Sequence, residues 1–267
     1  RAGTAQAATG RGNRATATSS FCADRATVAS DPTNAAQIGT VMADAQTLAG
    51  SFNSAAGALT LQNAQISTQI TQQTGQANAL LTQLAAINKQ LQASPKDAAL
   101  LDQQQGALTK LSSYMSLGTV PMGDTGAVAV MSGGTVLVDQ AGAQRISMSP
   151  PLPGAQPVLT AGPDKLLLSL SGSSGSLGGL MAGFASVSGA GKQLDWIAGT
   201  LAGLVNQAQA QGLDSSGATG KALFQTVPPS VTPGAANTGS ASLTPSITNA
   251  GALPSNGQGY TLSYSAA

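Results

Sequence analysis

Residues 35–91, AAQIGTVMADAQTLAGSFNSAAGALTLQNAQISTQITQQTGQANALLTQLAAINKQL, hold one heptad register without a skip. Steps of three and four residues pick out Ala35, Ile38, Met42, Ala45, Ala49, Phe52, Ala56, Leu59, Asn63, Ile66, Ile70, Gln73, Ala77, Leu80, Leu84, Ile87 and Leu91. All but Asn63 and Gln73 are apolar, so the spacing predicts one helix of about 60 residues, ~90 Å long, with a narrow apolar stripe facing partner helices. Gly50, Gly57 and Gly75 each cost about 1 kcal/mol relative to alanine, yet the register runs through all three. Buried amides at seam positions fix register or partner number in paired helices, and local exposure is the alternative for Asn63 and Gln73.

Upstream, Ser30-Asp31-Pro32 reads as a helix start, with Asp31 as cap and Pro32 in the first turn, so the long helix is expected over about 32–93. A short helical piece is expected from Phe21 to Ala29, and residues 1–20 read as a flexible leader without period. Downstream, Ser94-Pro95 repeats the capping signal and begins a second, antiparallel helix ending near Tyr114. From Leu117 the period changes to short β-like runs at Ala127–Met131, Thr135–Asp139, Arg145–Met148 and Leu166–Leu170, separated by glycine and proline turns, which makes 117–171 a β excursion. Helical spacing returns over Lys192–Gln211, where Leu194, Ile197, Leu201, Leu204 and Ala208 form a second seam and Gly212 stops it. Residues 226–267 are expected to begin a separate β domain, with strands at Ser240–Thr248 and Gly259–Ser265. The fold class is α+β: an elongated antiparallel helical bundle with one very long helix, a small β-rich insert and the start of a further β domain.

Composition restricts the chemistry. The chain has no histidine and no glutamate, so it lacks the commonest general base and any Ser-His-Asp or Cys-His arrangement. Of the ten acidic residues, all aspartate, Asp97 and Asp102 fall on different helix faces, and Asp24 with Asp31, or Asp124 with Asp139, would meet only through the tertiary fold. Cys22 stands alone, which excludes an internal disulfide and a cysteine metal cluster. Asp214-Ser215-Ser216-Gly217 resembles a calcium loop only weakly and reads better as a turn. Glycine-rich 172–183 lacks the residues of a nucleotide loop. Trp196, beside Leu194 and Ile197, is expected between helices. No catalytic, cofactor-binding or metal site is expected. A net charge of +1, with 8% charged residues, gives no case for nucleic acid, and no apolar run is long enough for a membrane span. Without an initiating methionine or a signal segment, the chain is expected to be a fragment of something longer.

The order of parts resembles the flagellar hook-associated protein 1 family of the FlgK type. The resemblance is carried by Asp31-Pro32-Thr33-Asn34-Ala35-Ala36 running on to Phe52-Asn53, by Ile66 to Leu91, by Leu100-Leu101-Asp102-Gln103 with Leu108 and Leu111-Ser112, and most specifically by Leu201-Ala202 through Val205-Asn206-Gln207 to Gly212-Leu213-Asp214, with Gly217, Gly220 and Leu223-Phe224. The stretch from Ala236-Asn237-Thr238-Gly239 through Tyr260-Thr261-Leu262-Ser263-Tyr264 agrees more loosely. Where Gln104-Gln105 stand the family usually has an arginine and an acid, and near Gln209 a histidine; both departures remove charge. The resemblance implies a structural, non-enzymatic subunit at the hook–filament junction, truncated to a core: a rod domain over 21–225 and the start of an outward β domain over 226–267. It implies an extracellular place in the flagellum after secretion through the flagellar export apparatus. It also implies partners: further copies in a ring, the hook protein, the second hook-associated protein and an export chaperone, with the fragment itself monomeric. Competing readings are another axial protein, either the second junction protein or a flagellin, and a surface adhesin or phage-tail binding module.

Overall fold

A computed structural model describes residues 2–31, 33–149, 157–171, 175–214 and 216–226, together with 231, 243–247, 249, 252 and 262; the side chains of 2–11 lie outside that description. The described elements are α1 (Ala2–Ser30), α2 (Ala35–Ala93), α3 (Ala98–Tyr114), β1 (Gly118–Pro121), β2 (Val128–Ser132), β3 (Thr135–Asp139), β4 (Gly142–Ala143), β5 (Ile146–Ser149), β6 (Val158–Ala161), β7 (Leu166–Leu167) and α4 (Gly175–Gln211). The chain is α+β, with long helices and small antiparallel sheets, as the periodicity predicts. It divides into two compact units, one of residues 1–60 with 189–267 and one of 61–188.

The long helix forms as one piece of 59 residues, and the glycines do not interrupt it. Its cap differs from expectation. Asn34, not Asp31, receives the first-turn amides, accepting from Ala36 N at 3.1 Å and Gln37 N at 3.2 Å. Asp31 instead braces the preceding turn, accepting from Thr33 Oγ1 and from Asn34 Nδ2. Likewise α3 is capped by Asp97, which accepts from Leu100 N at 3.0 Å, and not from Ser94-Pro95. In both places a side chain two residues after the proline offers the better-placed carboxylate or amide oxygen.

Two helices run further than their sequence signals. Helix α1 extends well beyond Phe21–Ala29, through the residues expected as a leader. Alanine favours the helix there, and Thr16 and Thr18 return their hydroxyls to the carbonyls of Gly12 and Arg14. Helix α4 begins at Gly175, seventeen residues before Lys192, because Leu177, Leu180, Met181 and Phe184 continue the apolar face that the glycines obscure.

In the unit of residues 61–188 the core gathers Ile70, Leu81 and Leu84 of α2, Leu111 of α3 and its C-cap Met115, Val130 and Leu137 of the first sheet, Ile146 and Leu159 of the second, and Leu177 of α4. Each such side chain removed from water contributes about 2 kcal/mol. The first sheet has the order β1-β2-β3-β4 and the second β5-β6-β7, all antiparallel. The excursion is therefore two sheets. β3 matches its predicted range, whereas β1, which ends on Pro121, and β6, with prolines on either side, are short and carry no alternating pattern to announce them. Gly133 and Gly134 form the β2–β3 turn with φ of +54° and +81°; a Cβ on Gly133 would also meet Ser169 O at 2.3 Å, so this position needs glycine twice over.

The other unit has a smaller core: Phe21 of α1, Ala45 and Leu48 of α2, and Val205 of α4, with Leu223 and Phe224 laid against them. Phe21 and Phe224 meet edge to face, their ring centroids 5.8 Å apart. Of the expected terminal strands, Leu243–Ile247 adopt no strand, and the rest of Ser240–Thr248, like Gly259–Ser265 apart from Leu262, lies outside the described residues.

Candidate functional site

Asn78, Asn88 and Asn206 are among the asparagines in the interiors of long helices, where asparagine is a weak helix former because its amide competes for backbone partners. Each of these three uses that amide to hold a segment from elsewhere. Asn78 on α2 donates to Ile146 O and accepts from Ile146 N, both at 2.8 Å, so its side chain supplies β5 with the pair of hydrogen bonds a neighbouring strand would give. Ten residues on, Asn88 donates to Val128 O at 2.7 Å and accepts from Val128 N at 3.1 Å, fastening β2 in the same way. On α4, Asn206 donates to Phe224 O at 2.7 Å and accepts from Leu223 N and Phe224 N, each at 2.9 Å.

Asn88 is 2% exposed and is itself supported. Gln104 on α3, also buried, donates through Nε2 to Asn88 Oδ1 at 3.1 Å and to Gly126 O at 3.2 Å. At a position where the resemblance leads one to expect charge, a neutral amide thus ties α2, α3 and the β1–β2 connection into one network.

The polar seam residues have partners on α4. Asn63 Nδ2 donates to Ser188 Oγ at 3.1 Å, and Gln73 Oε1 accepts from Ser176 Oγ at 2.7 Å. Both are half-buried, so they pin the antiparallel register of α2 and α4 within the unit of residues 61–188 and are not simply exposed.

After α4 the chain turns back in a small hairpin. Asp214 N donates to Ala218 O at 2.8 Å, Gly220 N donates to Gly212 O at 3.0 Å, and Leu213 bridges Thr219. The Asp214 carboxylate accepts from Ser216 Oγ at 2.6 Å, Ser216 N at 2.8 Å and Ala218 N at 2.9 Å. The hydroxyl of Ser216, then the amides of Ala218 and Ser216, hold its pKa below the ordinary 3.8. The loop's own donors occupy the carboxylate, which makes it a turn. Gly220 lies so close to α4 that a Cβ would meet Gln209 O at 2.3 Å. This return places Leu223 and Phe224 under Asn206.

The aspartates singled out in the sequence do not assemble. Asp97 caps α3, and Asp139 accepts from Ala141 N and Gly142 N in the β3–β4 turn. Asp31 is taken up by Thr33 and Asn34 in the turn before α2, not by Asp24. Cys22 is exposed. Among the described residues no group of three potential metal ligands forms, and no helix is long and apolar enough to cross a membrane. Trp196 is half-buried, with Nε1 enclosed and unpaired. What sequence reasoning missed are Asn78, Asn88 and Gln104; the available signal was a poor helix former recurring inside strongly helical sequence.

The comparisons with known proteins agree with this arrangement. The family model for the flagellar hook-associated protein FlgK helical domain matches residues 8–224, which takes in all the clamps. Among solved structures, the flagellar hook junction protein FlgK from Burkholderia pseudomallei superposes with a TM-score of 0.77 at 29% identity, over 89% of this chain and 45% of that one. No curated protein matches in sequence. The chain therefore belongs to the FlgK family of flagellar hook-associated proteins, a family of structural components of the flagellum.

Proposed function

We propose that the chain forms the helical domain of a subunit at the hook–filament junction, with no catalytic role. The family match across residues 8–224 carries this reading, and the clamp geometry supports it. Side-chain amides that hold strands to helices resist shear without needing charge, which suits a polymer subunit with only 8% charged residues. On this reading the protein lies outside the cell in the flagellum, reached through the flagellar export apparatus with a chaperone. Its neighbours are further copies in a ring, the hook protein and the second hook-associated protein. Residues 21–225 form the rod domain and 226–267 open an outward β domain, and the isolated chain is monomeric.

The test is genetic. A strain lacking the gene is expected to keep its hooks and shed filament monomers into the medium, with motility restored by the intact gene. Normal filaments in that strain overturn the junction role.

A further inference from the structure

In the unit of residues 1–60 with 189–267, the chain that follows α4 is led back along the helix and fastened to it. Helix α4 ends at Gln211, and the hairpin of residues 212–220 reverses the direction. Gly220 passes so close to Gln209 that no side chain fits between them. Leu223 and Phe224 then reach Asn206, which lies more than one turn inside the helix. The Asn206 amide accepts from Leu223 N and Phe224 N, at 2.9 Å each, and donates to Phe224 O at 2.7 Å. On its other side the Phe224 ring meets Phe21 of α1 edge to face at 5.8 Å, and Phe21 is fully buried. Gln225 and Thr226, next in the chain, are exposed. Phe224 is thus gripped by two helices at once, its backbone by α4 and its ring by α1.

We infer that Leu223 and Phe224 form a mechanical strap: tension on the chain beyond Thr226 is taken up by Asn206 and Phe21 before it reaches the last turn of α4. Three hydrogen bonds that end on one side chain share a load and fail together, whereas the bonds at a helix end fray in turn. The hairpin behind the strap is no substitute, because Asp214, Ser216 and Ala218 are exposed and water competes for each of their bonds. Once the strap opens, the fifteen residues from Gly212 to Thr226 follow it, a length of at most about 50 Å. That such tension arises in service rests on the structural role proposed above. The strap itself is a property of the isolated chain, so its test and the genetic one can fail separately.

The chain's single cysteine, Cys22, is exposed and adjoins Phe21, so Thr226→Cys supplies a second exposed thiol on the far side of the strap. With DNA handles on the two thiols, the whole chain held at constant force in an optical trap is expected to lengthen first by one step of at most about 50 Å, ahead of the larger events of the helical core. Adding Asn206→Ala should shorten the waiting time before that step by about tenfold. Phe224→Leu, which keeps an apolar side chain but no ring against Phe21, should shorten it less; it carries the test if Asn206→Ala is unfolded before force is applied, as Trp196 fluorescence would report. Ser216→Ala, in the hairpin, should leave the waiting time unchanged. The strap is overturned if no step of that size precedes the core, or if folded Asn206→Ala, or Phe224→Leu in its place, waits as long as the parent. It is overturned too if Ser216→Ala shortens the wait as much as the strap variants do, which would put the load on the hairpin.

Discussion

The two halves of α2 carry one register but are covered differently. In the half belonging to residues 1–60, the seam residues Ile38 and Met42 remain 43% and 45% exposed. In the half belonging to residues 61–188, Ile70, Ala77, Leu84 and Leu91 are fully buried, and so is Leu81, which lies off the seam. Periodicity therefore reports which face of a helix is apolar, while coverage depends on what the rest of the chain lays upon it. Two sheets and α3 broaden the buried face of the second half to take in Thr74, Leu81 and Asn88, one residue round from Gln73, Leu80 and Ile87. The narrow stripe expected from the register is there a wide face.

The sharpest way to break this contrast is truncation on either side of it. Leu81→Ala, off the seam but with no exposed surface, should destabilise its unit by about 2–5 kcal/mol, the range for emptying a packed core. Met42→Ala, on the seam but nearly half exposed, should cost under about 1 kcal/mol. Denaturant unfolding by circular dichroism measures both. Equal costs would mean that the register, not the coverage, governs stability.

The same contrast explains what was legible in the sequence. Helix α2 was, because one spacing held from Ala35 to Leu91 outweighs four glycines. So was the turn at Asp214, since aspartate, serine and glycine in that order satisfy their own backbone. The start of α4 was not: its glycines lower helix propensity locally, and only packing by Leu177 and Phe184 recovers it. Nor were the clamps on β2 and β5. An asparagine's role depends on a strand 40 or 68 residues away, and no local pattern records that separation.

A second, smaller pair of substitutions compares the clamps themselves. Asn88→Ala removes the partner of Val128 N–H, Val128 C=O and the Gln104 amide at a buried position, and should cost about 2–3 kcal/mol. Asn206→Ala exposes a comparable set of backbone groups on Leu223 and Phe224, but Asn206 itself is half-buried and water can replace the lost amide, so about 1–2 kcal/mol is expected. Hydrogen exchange should localise each loss, at Val128 in one variant and at Leu223 and Phe224 in the other. An Asn206→Ala cost at or above that of Asn88→Ala would mean that the smaller core depends on its clamp more than the larger one does.

The smallest effect concerns the hairpin that sets up the Asn206 clamp. Asp214 is exposed, so its hydrogen bonds with Ser216 and Ala218 compete with water, yet together they hold its pKa below 3.8. For a lowered carboxyl the folded chain binds fewer protons than the unfolded one, so this contribution is present above pH 3.8 and lost as pH falls through the folded value. Amide exchange at Ser216 and Ala218 should accelerate across that acid window, with the intrinsic exchange rate divided out. Asp214→Asn keeps an acceptor oxygen but carries no charge, so its protection should be lower at neutral pH and indifferent to acid. If the loosening spreads to Leu223 and Phe224, the hairpin positions the clamp; if it stops at Ala218, Asn206 holds the returning chain unaided.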